Sequence, residues 1–284
     1  MLSFFIGVFY NKEQLVIFME KYNVKFKKRF GQNFLKDNTI VKRIADVSEV
    51  DENSLVIEVG PGGAILTREL ATRVKQVLAY EIDNDLMDEL SEKLVDYDNV
   101  DILFQDFLTA DIRSDIENYS YQSLYFVSNV PYYITTPIIM KLMESRLTFK
   151  KIVMMVQKEV GDRFTASFGN REYGSITVLL NYYYDIKKEF RVSRKQFIPE
   201  PNVDSVIISF TEREDKPYLK DSVFFEKVLR DSFQFKRKNI RNNLKGYDLK
   251  KVEEVLNKYG FDLNARAEML SVDVFVDLAN TLIK

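Results

Sequence analysis

The chain contains no cysteine and no histidine in its 284 residues. Without cysteine it can form no disulfide, offers no thiolate nucleophile and builds no cysteine zinc site. Without histidine it lacks the commonest general base and metal ligand. Its chemistry must therefore use carboxylates, amides, hydroxyls, backbone groups or a borrowed cofactor, and no metal is expected. Long hydrophobic runs are missing too. Met1–Tyr10 (MLSFFIGVFY) is apolar but too short to span a bilayer, and no basic residue precedes it. With Gln14–Met19 it reads as a short docking helix rather than a targeting signal, so no membrane partner is expected. The absence of disulfides fits a cytoplasmic location.

What remains is the composition of a globular protein, 46% hydrophobic and 30% charged. The length allows one well-filled α/β domain and a second, smaller one. The net charge of −2 hides a polarity. Residues 46–117 hold 19 acidic against 5 basic side chains, whereas residues 187–250 hold 16 basic against 10 acidic. A second basic cluster, Lys21, Lys25, Lys27, Lys28 and Arg29, precedes the acidic stretch. Charge separated in this way can present a basic face to phosphates. Two solvated surface stretches account for the same counts equally well.

The middle of the chain alternates short β-rich runs with helical patterns, which predicts a doubly wound sheet. Strands are expected at Leu55–Val59, Val77–Glu81, Val100–Phe104, Leu124–Ser128 and Ile152–Val156, with Ile176–Tyr184 and Val206–Phe210 completing the sheet. Helices are expected after the glycine run to about Arg73, from Asp83 to Leu94, over Thr135–Glu144 and over Gln157–Ala166. After Glu212 the texture changes. A charged linker with Pro217 leads into helical patterns at Val223–Phe233, Arg237–Leu244, Leu249–Lys258 and Val272–Ile283. Three parts follow: an extension over residues 1–21, an α/β domain over 22–211 and a small all-α domain over 212–284.

The run Glu58-Val59-Gly60-Pro61-Gly62-Gly63 sits between a strand and a helix. Glycines there let backbone approach a ligand at the carboxyl edge of the sheet. Glu81 ends the next strand, 21 residues beyond Gly60, where a carboxylate can take both hydroxyls of a ribose. A dinucleotide fingerprint wants a further glycine at position 65, where this chain has Ile65, and a pyrophosphate needs that close helix approach. The mismatch favours S-adenosylmethionine over a nicotinamide cofactor. Asp106, after the third strand, can accept an adenine amino proton beside Phe107; taken alone, capping the next segment is the simpler job for it.

Asn129-Val130-Pro131-Tyr132 follows the fourth strand directly. Proline holds Val130 extended and stiffens the turn, which can aim the Asn129 oxygen and a neighbouring carbonyl at one point. Two acceptors on one exocyclic amine turn its lone pair toward an electrophilic methyl group, without a strong base. Tyr132 can stack on a base lifted from its helix, at ~1–3 kcal/mol. The missing thiolate closes the usual route to carbon-5 methylation of pyrimidines. Lys236, Arg237, Lys238 and Arg241 place closely spaced cations beside apolar residues on an expected helix, suited to phosphates or to a solvated face. Phe197, on a proline-flanked loop, can clamp a flipped base opposite Tyr132 or pack in the core.

These motifs resemble the KsgA-type dimethyladenosine transferases of small-subunit ribosomal RNA. The likeness runs from about Tyr22 to the C-terminus. It includes Lys28-Arg29-Phe30-Gly31-Gln32-Asn33-Phe34-Leu35, Glu58 through Gly62, Asn129 through Tyr132, Gln157-Lys158-Glu159, Glu172-Tyr173-Gly174, Phe197 through Ser205, the Lys236–Leu244 helix and Arg266 through Ser271. The resemblance implies a Rossmann-like methyltransferase sheet of seven strands with a small all-α C-terminal domain. It implies dimethylation of two adjacent adenines near the 3′ end of small-subunit (16S) ribosomal RNA, with S-adenosylmethionine as donor. Asn33, Leu35, Gly60, Gly62, Glu81, Asp106 and Asn129 would then line the donor site. Asn129, Tyr132 and Phe197 would hold the adenine, and Lys27, Lys28, Arg29, Lys236, Arg237, Lys238 and Arg241 would meet RNA. Tyr133 and Thr135 depart neutrally from some relatives. Two rivals stay open: a large-subunit methyltransferase of the macrolide-resistance type, and a small-subunit assembly factor that acts chiefly by binding. A nicotinamide-dependent oxidoreductase is a distant third.

Overall fold

All six residues of Ser54-Leu-Val-Ile-Glu-Val59 are buried, as in a strand covered on both faces. This run is β2 in a computed structural model that describes residues 34–283. Beside it lie β3 (Gln76–Tyr80), β4 (Val100–Leu103), β5 (Ser123–Asn129) and β6 (Lys151–Gln157). Further along the chain come β7 (Tyr184–Val192), β8 (Phe197–Ile198) and β9 (Ser205–Glu212). Among the described residues all of these except β8 form a seven-stranded sheet in the order β4-β3-β2-β5-β6-β9-β7. The pairs β2–β3, β2–β5, β3–β4 and β5–β6 are parallel, so β2 to β6 feed their carboxyl ends to one edge. Chain order reverses between β2 and β5, the place where such sheets open a crevice. Residues Phe34–Leu35 (β1) pair antiparallel with β8, Leu35 facing Phe197 in register.

Helices cover this sheet. The first, α1 (Asn38–Ser48), starts where the Asp37 carboxylate accepts the Thr39 amide at 2.8 Å and stops at Glu49, which turns left-handed at φ 56°. Its buried Ile40, Val41, Ile44 and Ala45 recur at helical spacing and join β2, β5 and β6 in one apolar cluster. Truncating Ile44, 1% exposed, to alanine would cost ~2–5 kcal/mol. Helices α2 (Ile65–Ala71), α3 (Met87–Lys93), α4 (Ile112–Asp115) and α5 (Thr135–Glu144) follow the successive strands.

The described chain divides into two compact units. The first holds the chain through Lys158 together with Lys188–Ser209; the second holds Glu159–Lys187 and the chain from Phe210 onward. The second unit contains α6 (Lys158–Phe164), of which Lys158 lies across the division, then α7 (Ser175–Tyr183), α8 (Ser222–Ser232), α9 (Ile240–Asn243), α10 (Leu249–Lys258) and α11 (Val272–Leu282). Its interior is aromatic: Phe233 lies 5.5 Å from Phe275, and Tyr182 lies 5.2 Å from Phe225, between ring centres. Among the described residues no helix is long and apolar enough to cross a membrane.

Two expected elements differ. Ile176–Tyr184, predicted as a strand, is the helix α7 with the next strand beginning at Tyr184. Thr177, Val178, Leu179, Leu180 and Tyr182 are all buried. A helix covered on most sides shows no polar face, and its apolar run looks like a buried strand. The Thr177 hydroxyl accepts the Gly174 amide at 3.2 Å and starts it. The helix expected over residues 237–244 is only the four-residue α9, and Lys236, Arg237 and Lys238 lie in a turn before it. The Asn239 side chain accepts the Asn242 amide and sets the helix start at Ile240. The buried Asn243 amide donates to the Ser232 carbonyl at 2.6 Å and accepts the Phe235 amide at 3.1 Å, which fixes the turn.

Candidate active site

The carboxyl ends of β2, β3 and β5 and the residues after β4 surround a cavity of about 270 Å³. Its floor is the glycine turn. Gly60 (φ 75°) and Gly62 (φ 51°) take left-handed conformations that other residues adopt at a cost. The Gly60 amide donates to the Tyr80 carbonyl at 2.8 Å, which ties the turn to β3. A methyl group built on Gly60 would stand 3.7 Å from the ring of Pro131, so this turn and the proline corner lie face to face.

Glu81 is 4% exposed and braces the turn from the next strand. Its carboxylate accepts the Asp83 amide at 2.9 Å and the Gly62 amide at 3.4 Å. Burial raises its pKa, and those two amides only partly offset the effect. Glu58 lies in the same wall, 1% exposed, with Oε2 lacking any partner. Burial pushes its pKa up to about 8; the neighbouring Thr67 hydroxyl lowers it and Glu81 raises it. After β4, Asp106 accepts the Leu108 amide at 2.9 Å, and Phe107 packs edge-on against Tyr80 at 5.1 Å.

The corner after β5 forms the opposite wall. Register between β2 and β5 reaches Ile57 and Phe126. Beyond it the buried Ser128 hydroxyl donates to the Val59 carbonyl at 2.7 Å and accepts the Val59 amide at 3.4 Å. That bridge places Gly60 and Asn129, the next residue on each strand, side by side. Pro131 is extended (φ −58°, ψ 128°) and leads into the single turn Tyr132–Ile134. The Tyr132 hydroxyl shares a 2.7 Å hydrogen bond with Ser205, so its ring is tethered at both ends. Burial raises the pKa of both Tyr132 and Tyr133, and for Tyr133 the carboxylates of Asp106 and Glu81 add to the effect.

Of the residues singled out in the sequence, Leu35, Gly60, Gly62, Glu81, Asp106, Asn129 and Tyr132 come together around this one cavity. Asn33, Lys27, Lys28, Arg29 and residues 1–21 lie outside the described residues. Phe197 is elsewhere: it is 1% exposed in the apolar cluster with Leu35, Ile44 and Met155, and does not line the cavity. The sequence assigned no site role to Tyr133, noted only as a neutral departure, or to Ile82; both lie in the wall, about half exposed. Their positions directly after Tyr132 and Glu81 were the available signal. In the second unit Lys236, Arg237, Lys238 and Arg241 are all exposed, beside a half-exposed Phe235.

Among the described residues in the cavity wall, Glu58, Glu81 and Asp106 are carboxylates and none is lysine or arginine. Acidic groups with no basic partner among them offer no hold for a pyrophosphate and suit a ligand that brings positive charge. Fold and site together define a Rossmann-like methyltransferase. Sequence comparison is more specific: the family model described as Ribosomal RNA adenine dimethylase matches residues 23–284. The chain belongs to that family. It is 42% identical, over 93% of its length and 94% of theirs, to proteins named Ribosomal RNA small subunit methyltransferase A from Bacillus thuringiensis (strain Al Hakam) and Bacillus cereus (strain B4264). Among solved structures it is similar to the 23S rRNA methyltransferase ErmE, with TM-score 0.70 and 30% identity over 88% of this chain and 99% of that one. A dimethyladenosine transferase from Plasmodium falciparum gives TM-score 0.73 and 25% identity over 86% and 95%.

Proposed function

We propose that this protein transfers methyl groups from S-adenosylmethionine to the N6 amino groups of two adjacent adenines near the 3′ end of small-subunit ribosomal RNA. The observation that carries the donor assignment is the acidic, glycine-floored cavity with a buried, unpartnered carboxylate oxygen on Glu58. Protonated while it stands alone, this carboxyl would ionise opposite a ligand that brings its own positive charge, and S-adenosylmethionine carries an ammonium and a sulfonium. When bound, it supplies an electrophilic methyl group. Glu81 would take the ribose hydroxyls, Asp106 the adenine amino group, and Leu35, Ile82 and Phe107 the apolar ring faces. The Gly60–Gly62 backbone admits the amino-acid end.

Asn129 would accept one N–H of the target amine through its side-chain oxygen, and a carbonyl of the same corner the other. Both acceptors localise the lone pair on nitrogen and hold the proton that becomes acidic once the new bond forms. With no histidine in the chain, the proton passes to these oxygens and on to water. Tyr132, its hydroxyl held by Ser205, offers a fixed ring face to the extruded base. The exposed cations of Lys236, Arg237, Lys238 and Arg241 would bind RNA phosphates. A reducing cytoplasm, where ribosomal RNA is processed, is the expected setting.

Labelled methyl donor and unmodified ribosomal subunits test this. Label on two adjacent adenines of the small subunit is expected. Label confined to large subunits, the substrate class in the name of ErmE, would refute the assignment.

A further inference from the structure

The glycine turn is also gripped by residues that do not line the cavity. Leu86, Leu90 and Leu94, on and around α3, form a buried cluster with Ala64, which sits left-handed at φ 58°. Lys93, the last residue of α3, keeps only 8% of its side chain exposed. Its ammonium donates to the Gly63 carbonyl at 3.0 Å and to Glu89, one helical turn back, at 2.6 Å. Glu89 is 7% exposed and its second oxygen has no partner.

Stability alone is a poor reason for this arrangement. A buried ion pair costs desolvation that its attraction only roughly repays, and apolar residues of similar volume serve as well or better. What the pair adds is direction: a charged donor pinned by Glu89 and aimed at one backbone oxygen of the turn. The same segment is held by the Arg68 guanidinium on the Ala64 carbonyl (3.3 Å) and by the Ala64 amide on the Pro61 carbonyl (2.8 Å). Gly63 therefore has its carbonyl tied to α3, in a turn that lines the cavity from Gly60 through Gly63.

We propose that Lys93, oriented by Glu89, is a positioning residue that sets the shape of the Gly60–Ala64 turn and thereby the affinity for the methyl donor. This rests on the donor assignment made above. Removing the pair as a unit separates geometry from stability. In Lys93→Met the Glu89 carboxylate is left buried and alone, so thermal stability falls. In Lys93→Met/Glu89→Leu no charge is stranded, and melting returns to the wild-type temperature or above.

Binding of S-adenosylhomocysteine to the purified full chain, measured by calorimetry, is the readout. The double variant is expected to bind about 10- to 100-fold more weakly than wild type, the worth of one charged hydrogen bond. In methyl transfer its KM for the donor rises by the same factor, with kcat within about twofold of wild type. A double variant that melts normally and binds as tightly as wild type would overturn the proposal and leave Lys93 a stabilising residue only. Wild-type protein that fails to bind S-adenosylhomocysteine would instead overturn the donor assignment.

Discussion

Glu58→Gln should abolish a large pH dependence of folding stability. Glu58 titrates near its usual 4.5 in the unfolded chain and at about 8 in the folded protein, because burial disfavours the ionised form. Between those values the folded state holds a proton that the unfolded state has released. Its contribution is fully present below pH 4.5 and disappears as pH rises through 8. One pH unit inside that window is worth up to about 1.4 kcal/mol, so the ceiling between pH 5 and pH 8 is about 4 kcal/mol. Penetrating water reduces the measured figure, and a loss of about 2–4 kcal/mol is expected. The window is unusually clean, since the chain has no histidine to titrate within it. Glu81, also raised by burial, contributes to both proteins and largely drops out of their difference. Urea unfolding at half-unit intervals from pH 5 to 8.5 measures the effect. Equal pH slopes for wild type and Glu58→Gln would refute the assignment of a buried, unpaired carboxylate.

Three further outcomes are expected. Asn129→Ala should lower kcat by at least about 100-fold in the transfer assay while small-subunit affinity, read by filter binding, stays within about twofold. Replacing Lys236, Arg237 and Lys238 with alanine should weaken RNA binding and reduce the slope of log K against log salt by about 2–3, checked by titration at several salt concentrations. Phe197→Ala should cost ~3–5 kcal/mol in urea unfolding, as expected of a side chain 1% exposed in the core. Unchanged stability with methyl transfer lost would instead favour contact with the target base.

Much of this molecule is legible from local chemistry. The glycine turn, Glu81 and the amide-proline corner follow strand ends, and their spacing alone brings them to one edge of a parallel sheet. Helix α7 was not legible, because burial of Thr177, Val178, Leu179, Leu180 and Tyr182 removes the polar face by which helices are recognised. Strand β7 fails for the opposite reason: of Tyr184–Val192 only Val192 is buried, so no apolar run marks it. The basic turn looked helical because the clasp made by Asn243 is tertiary. In the site, the identity of Glu58 was readable but its missing partner was not, since that depends on what surrounds Oε2. Phe197 shows the same limit. Its loop is visible in the prolines, yet its burial depends on the pairing of β8 with β1 and on a cluster drawn from distant parts of the chain.

The Ser128 bridge has a consequence for how the two substrates communicate. One hydroxyl joins the residue before the glycine turn, proposed to bind the donor, to the residue before the proline corner, proposed to bind the amine. Where the β2–β5 ladder ends, this bridge is the last side-chain joint that the two halves of the proposed reaction share. A disturbance at that joint misaligns methyl carbon and nitrogen together, even where every group that touches either substrate is intact.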